Sequence, residues 1–283
     1  QPVAATKLIG KVGSTDIAVL SAMDGHEYSA SQSENPLFNV LRLRRDMGAQ
    51  STMGFVLTDR HEGSNFNRVG AVDGRFVFRN VYALAFQAGG SQTDTGSGPN
   101  FGRLWDASID RSGRSYGFRN SLKGLSREFG SRVGFVNRTN VVDYNGNQRY
   151  SWFGPRGSRV EQVMWSMNGS SIWNYADFFS GGVPLEMRGS LSATAQLRGG
   201  WSVSVTPSLT SDRFDSTSYA SYYLARSHGA ATDTVKFQPG PTVRSVQWQG
   251  RISTPQFSRF AANINSTYGT DAEYLESARA TRL

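Results

Sequence analysis

The chain has no cysteine in its 283 residues. That excludes a disulfide framework, thiolate catalysis and any cysteine-ligated metal. No stretch approaches roughly 18 consecutive apolar residues, so no transmembrane helix can be drawn. No segment of useful length repeats its apolar residues at the helical period. Histidine is scarce: His26, His61 and His228 lie far apart, all in segments read as loops. A hydrolase needs a base beside its nucleophile and a third group to orient the base, and these positions offer no such spacing. No cluster of His, Asp and Glu has metal-ligand spacing either. The expectation is therefore no enzyme, no metal and no cofactor. The charge balance is basic, 30 against 22 for a net +8. The basic residues are mostly arginine and are scattered, whereas a nucleic-acid binder shows a stripe and a module. Gln1 is not an initiator methionine and no charged-then-apolar leader follows it, so the chain reads as a piece of something longer.

What the chain has in abundance is alternation. From Leu185 to Leu197 the odd positions read Leu, Met, Gly, Leu, Ala, Ala, Leu, and the even positions are Glu, Arg, Ser, Ser, Thr, Gln. After Gly199-Gly200 the pattern resumes, with Trp201, Val203, Val205, Pro207 and Leu209 against Ser and Thr. Strict period-2 patterning of this length is a strand signature, and a glycine pair between two strands is a hairpin signature. Parity also sets the loop. A two-residue loop would pair Arg198 with Trp201 and put polar beside apolar along the whole hairpin. A three-residue loop, Arg198-Gly199-Gly200, instead pairs Leu197 with Trp201. It then sets Ala195 against Val203 and Ala193 against Val205.

These strands are about twice the ~5–6 residues usual in soluble domains, and close to the ~9–11 needed to cross a bilayer at a tilt. An apolar face backed by a Ser/Thr-rich face suits an outer-membrane barrel, whose lumen is wet. If the apolar face meets lipid, Leu191, Ala193, Val203 and Val205 should lie exposed in the isolated chain; in a soluble sandwich they would be covered.

Along the chain, strands are expected at Ala5–Val12, Asp16–Met23, Leu37–Arg45, Ser51–Thr58, Arg68–Phe78, Val81–Ala88, Phe101–Asp110 and Ser115–Lys123. Further strands are expected at Ser131–Thr139, Val141–Tyr144, Gln148–Phe153, Arg159–Asn168 and Ser171–Phe179. After the central hairpin come Thr217–Arg226, Thr242–Ser253 and Phe257–Tyr268, and Thr270–Leu283 either starts another strand or frays. Polar loops are read at Asp24–Pro36, Asp59–Asn67, Gly89–Asn100 and Ser227–Pro241. Tight turns are read at Arg79-Asn80, Asn145-Gly146-Asn147 and Gly169-Ser170. The fold class is all-β: one up-and-down antiparallel transmembrane barrel of about 14–18 strands over residues 1–283, with short turns at one end and long loops at the other. Some tryptophans fall near strand ends, where interfacial girdles form.

Three segments carry a resemblance. They are Lys7-Leu8-Ile9-Gly10-Lys11-Val12-Gly13 with Ile17–Leu20; Phe38–Asp46, an Arg-rich strand ending in aspartate, followed by Ser51–Phe55 and Thr58-Asp59-Arg60; and Phe129 with Val133–Arg138. Together they resemble a bacterial family of unknown function that carries a carbohydrate-binding-like β-sandwich followed by a large outer-membrane β-barrel. The likeness runs through most of the chain and lies within the barrel part. It implies an outer-membrane location, a sandwich before Gln1, closing strands beyond Leu283 and hence an open barrel in this fragment. It also implies carbohydrate as the leading solute.

Arg42, Arg44, Arg75, Arg119, Arg188 and Arg198 fall on the parity opposite the apolar face, as do Asp73, Asp106, Asp110 and Glu186. Of these, Arg42, Arg44, Arg75 and Arg188 are the candidate solute-binding residues. They form either a charged lumen that selects solutes or a ladder of cross-strand charge pairs, and the supply of opposite charges favours the ladder. Were the arginines in excess, a weak preference for anions would follow. The functional expectation is passage or binding of a solute, carbohydrate or anionic, across the outer membrane. The alternatives are a plugged, non-conducting surface-binding barrel and an outer-membrane hydrolase. The implied partner is the lipid bilayer, with no nucleic acid.

Overall fold

The computed structural model describes residues 2–29, 34–214, 219–228, 231–236, 242–272 and 277–282. It is all-β, with 68% strand and 3% helix. Strands β1 (Pro2–Val12), β2 (Thr15–Asp24), β3 (Leu37–Asp46), β4 (Thr52–Glu62), β5 (Asn65–Phe78), β6 (Tyr82–Asp94), β7 (Asn100–Arg111) and β8 (Tyr116–Leu125) follow one another up and down. After β9 (Val141–Phe153) and β10 (Val160–Asn174) comes a short helix, α1 (Tyr175–Phe179). Then follow β11 (Glu186–Leu197), β12 (Trp201–Asp212), a separate hairpin of β13 (Tyr223–His228) and β14 (Ala231–Lys236), and finally β15 (Val243–Ser253), β16 (Asn263–Ala272) and β17 (Ser277–Arg282). Apart from that hairpin the strands form one antiparallel sheet in chain order, and the sheet is not closed.

The chain divides into two compact units. The first comprises residues 1–113, 119–144 and 174–180, and the second 114–118, 145–173 and 181–283. In the first, the connections 13–14, 47–51 and 79–81 lie at one end of the strands. Residues 25–29 and the segment 126–140 lie at the other, as alternate connections of an up-and-down sheet must. In the second, 198–200 is a tight connection, and β12 ends and β15 begins at the opposite strand ends.

The central hairpin has the register that its parity requires. Leu197 pairs with Trp201, Ala195 with Val203 and Ala193 with Val205. Gly199 and Gly200 stand at φ 86° and 85°, and the Gly200 N–H donates to the Leu197 carbonyl at 3.2 Å. Thr206 Oγ1 donates to Ser192 Oγ at 3.0 Å on the polar face. Neighbouring strands continue the division. Trp165 lies opposite Ala193 and Met167 opposite Leu191; Val203 lies opposite Ile252 and Pro207 opposite Trp248. Leu191, Val203 and Val205 are 54%, 39% and 46% exposed, and Ala193 is half-buried among them. They are therefore not packed beneath a second sheet.

Several expected loops are strand. Asp59–Asn67 narrows to the turn Gly63-Ser64, because its polar residues pair across the ladder, as Arg60 does with Asn67. His61 is thus in β4, and His228 ends β13 rather than lying in a loop. Gly89–Asn100 is mostly strand as well. Gly89 and Gly90 mark close approach rather than a turn: a Cβ on Gly89 would stand 2.3 Å from the Gly70 carbonyl oxygen. Asn145-Gly146-Asn147 and Gly169-Ser170 make no turns. They lie inside β9 and β10, where Asn147 Nδ2 donates to Asn168 Oδ1 at 2.7 Å. Ser171–Phe179 is strand only to Asn174 and then becomes α1, whose aromatic residues gather round Trp105. Ser131–Thr139 is not a strand, and Phe257–Tyr268 is strand only from Asn263. Of the expected strand Thr217–Arg226, Tyr223–Arg226 belongs to β13; the expected loop Ser227–Pro241 carries the end of β13 and β14; residues 217–218, 229–230 and 237–241 lie outside the described residues.

The two positive-φ glycines generate a test. A side chain at Gly200 meets both the left-handed backbone and the Pro255 Cβ, 3.0 Å from the position of an added Cβ. Gly200→Val should therefore cost about 1–3 kcal/mol, and Ser202→Thr in the adjoining strand about 0.5 kcal/mol or less. Urea unfolding of the two variants measures the difference.

Candidate functional site: the polar face and its covering loop

The cross-strand registers of the first unit place a charged row on the polar face. Arg44 lies opposite Asp16, and Gly54 of β4 lies between Arg44 and Asp73. Because Gly54 has no side chain, the Arg42 guanidinium extends over it, within 2.7–2.9 Å of where a Cβ would be, and grips Asp73 of β5. The pair is two-pronged: Nη1 to Oδ2, and Nη2 to Oδ1 at 2.9 Å. Arg44 holds Asp16 at 2.9 Å, and Lys11 reaches across β2 to Asp46 at 2.7 Å. In the second unit Arg188 lies 3.5 Å from both Glu186 and Asp212. Arg75 is exposed and has no ion-pair partner among the described residues. Arg119, also exposed, and Asp106 and Asp110, both half-buried, likewise have none among the described residues.

The ladder of charge pairs thus accounts for three of the four candidate arginines, Arg42, Arg44 and Arg188. Their acidic partners come mostly from other strands, which a reading confined to one strand does not count. The paired arginines cancel much of the positive potential on which an anion preference would depend.

Residues 126–136 contribute what the sequence did not indicate. β5, β6 and β7 carry Asn67, Val69, Ser91, Thr93, Gly102 and Leu104 on the polar face, aligned by register. Phe129 packs there with Val69 and Leu125, and Leu104 and Val136 join at the margin. A Cβ on Gly102 would stand 2.2 Å from the Phe129 Cα, so only glycine admits the loop this closely. Asn67 is 1% exposed. Its Nδ2 donates to Thr93 Oγ1 at 2.7 Å and to the Gly130 carbonyl at 3.0 Å, and its Oδ1 accepts from the Arg132 N–H at 2.7 Å. The Gly130 N–H donates to Ser91 Oγ at 3.1 Å. A loop laid on a sheet face must find partners for its backbone away from water, and these side chains supply them. That demand explains why Ser131–Thr139 does not form a ladder. Residues 25–29 are tied to the same face by Ser29 Oγ, which donates to Glu62 Oε1 at 2.6 Å. Glu62 in turn takes Arg60 at 2.7 Å.

Phe129 was visible in the sequence as part of the resemblance, whereas Asn67, Ser91 and Gly102 were not singled out. Their role comes from a contact with a loop more than twenty residues away, which no local pattern announces. Of the histidines, His26 sits in a 3-10 turn (His26–Tyr28) and His61 is exposed on the apolar-face parity of β4. Among the described residues no group of His, Asp and Glu could hold a metal ion. No protein-family model matches the chain, and no curated protein is significantly similar to it.

Two measurements examine this site. Asn67→Leu should lower stability by about 2–3 kcal/mol, because it strips buried loop backbone of its partners. It should also open Arg127 and Arg132 to trypsin, which a proteolysis time course reads. For the Arg42–Asp73 pair, a double-mutant cycle with Arg42→Gln and Asp73→Asn should give a coupling of about 1 kcal/mol, kept modest by partial exposure.

Proposed function

We propose that the chain forms the wall of an outer-membrane β-barrel, with its apolar face against lipid and its polar face toward an interior that passes or binds a solute. The observation that carries this reading is where the large hydrophobic residues lie. Soluble proteins rarely expose contiguous apolar patches beyond a few hundred Å². Here Val72, Leu84, Ile109, Trp165, Leu191, Val205 and Trp248 all remain at least 39% exposed. By register they belong to the apolar faces of their strands. Strand length adds support, since β5 and β10 run 14 and 15 residues, ample for a tilted crossing. Among the described residues no helix is long and apolar enough to cross a membrane, so in this reading strands make the crossing. Carbohydrate enters as the solute through the family resemblance alone. An anionic solute draws less support once Arg42, Arg44 and Arg188 are seen to be paired.

A second reading, the plugged or strongly constricted barrel, is favoured by residues 126–136. A loop held over the polar face by Phe129 and by a buried asparagine would occupy part of any lumen that this face lines. Planar-bilayer recording distinguishes the two. Low conductance in the unaltered protein, rising in Asn67→Ala/Phe129→Ala, is the expected result, with the loop as the constriction. Equal and large conductance in both would place the loop outside the solute path. Absence of any conductance in the double variant, with insertion verified, would favour a surface-binding barrel.

A further inference from the structure

The apolar face of β4, β5 and β6 is crossed by a polar line. Asp59 of β4 lies opposite Arg68 of β5, and Arg68 lies opposite Gln92 of β6. Arg68 Nε donates to Asp59 Oδ1 at 3.1 Å, and its guanidinium carbon stands 4.5 Å from the Phe66 ring centroid. The line continues toward β2: Asn39 Nδ2 donates to Asp59 Oδ2 at 3.4 Å, and Ser21 Oγ to Asn39 Oδ1 at 2.8 Å. From Arg68 down β5, the residues of that parity are Gly70, Val72, Gly74, Phe76 and Phe78; from Gln92 down β6 they are Gly90, Ala88, Phe86, Leu84 and Tyr82. No charge occurs among them. The stretch closes at the short turn, where Phe78 and Tyr82 stack at 5.2 Å and Arg111 lies over Tyr82 at 5.6 Å.

We propose that the Asp59–Arg68–Gln92 line meets the headgroup layer of a bilayer, and that the β5–β6 surface between it and the Phe78–Tyr82 stack is the segment in contact with acyl chains. This rests on the membrane reading above and deepens it by fixing depth. Arginine on the lipid side of a barrel is costly at the midplane and nearly free at the interface, so an exposed Asp–Arg pair belongs at the edge of the apolar band. The spacing agrees. From residue 68 to residue 78 at about 3.3 Å per residue is about 33 Å along the strand, or about 25 Å along the normal at a tilt of about 40°, the height of a barrel's apolar band. The aromatic stack falls at the opposite edge, where amphipathic rings settle. Ser21 and Asn39 satisfy each other and Asp59, so where a tilted row dips below the interface its polar atoms are already partnered.

The absence of cysteine makes the test direct. Spin labels are placed singly, through Val72→Cys, Leu84→Cys, Gln92→Cys and Ser64→Cys, on the full chain folded into phosphatidylcholine vesicles. Circular dichroism confirms that each variant keeps its strand content. Accessibility to oxygen, which partitions into lipid, is compared with accessibility to a water-soluble nickel chelate. The expected result is oxygen preference at 72 and 84, nickel preference at 64, and a ratio at 92 between the two. Oxygen preference at 92 equal to that at 72 would overturn the boundary while leaving the membrane reading standing. Nickel preference at 72 and 84 would overturn both.

Discussion

The antiparallel ladder is the constraint on which everything else depends. Its hydrogen bonds join each strand to its neighbours, and each pairing also decides which face a side chain occupies. A slip of one residue would exchange the two faces of a strand. The β11–β12 hairpin shows the coupling most plainly. Its odd loop, made possible by two glycines in left-handed backbone, keeps Leu197 beside Trp201 and so keeps apolar beside apolar for the length of both strands. The same alternation is inherited by β10, β15 and β16 through their registers.

Because the ladder separates the faces, the two faces carry different physics. The apolar face has little covering, and only local clusters such as Trp105 with Phe178 and Phe179 shield one another. Where Trp105 crosses β8, Gly124 leaves room for the indole, whose Nε1 donates to Tyr175 Oη at 3.2 Å. The polar face holds the charge pairs and the buried core near β5. That core is small, because most large hydrophobic residues point the other way. Its stability therefore leans on hydrogen bonds from Asn67, Ser91 and Thr93, which are strong where water is excluded and costly to leave unmade.

Glycine illustrates how one residue type serves opposite ends. At Gly199 and Gly200 it turns the chain. At Gly54, Gly89 and Gly102 it lets something else come near: a guanidinium, a neighbouring strand and a loop, respectively. Composition alone reads all of these as turn signals, which is why Gly89–Asn100 looked like a loop and is mostly strand.

By itself the sequence determined the all-β class, the two-faced strands and the register of the central hairpin, because period-2 patterning and loop parity are local properties that survive whatever the rest of the chain does. It also indicated that some charges on the polar face would pair, as Arg42, Arg44 and Arg188 do, since both signs were present on one parity. It did not determine where strands end when polar residues are paired across the ladder, as at Asp59–Asn67, nor that Asn145-Gly146-Asn147 would run straight. Those outcomes depend on partners in adjacent strands. Least legible was the fate of Ser131–Thr139. Its Val133-Gly134-Phe135-Val136 run has strand-like composition, yet Phe129 is drawn into the patch made by Val69 and Leu125, and Asn67 takes the backbone groups that a ladder would have used. Only the tertiary structure decides that contest, because the hydrogen-bond partners and the apolar patch come from strands that must first be brought side by side.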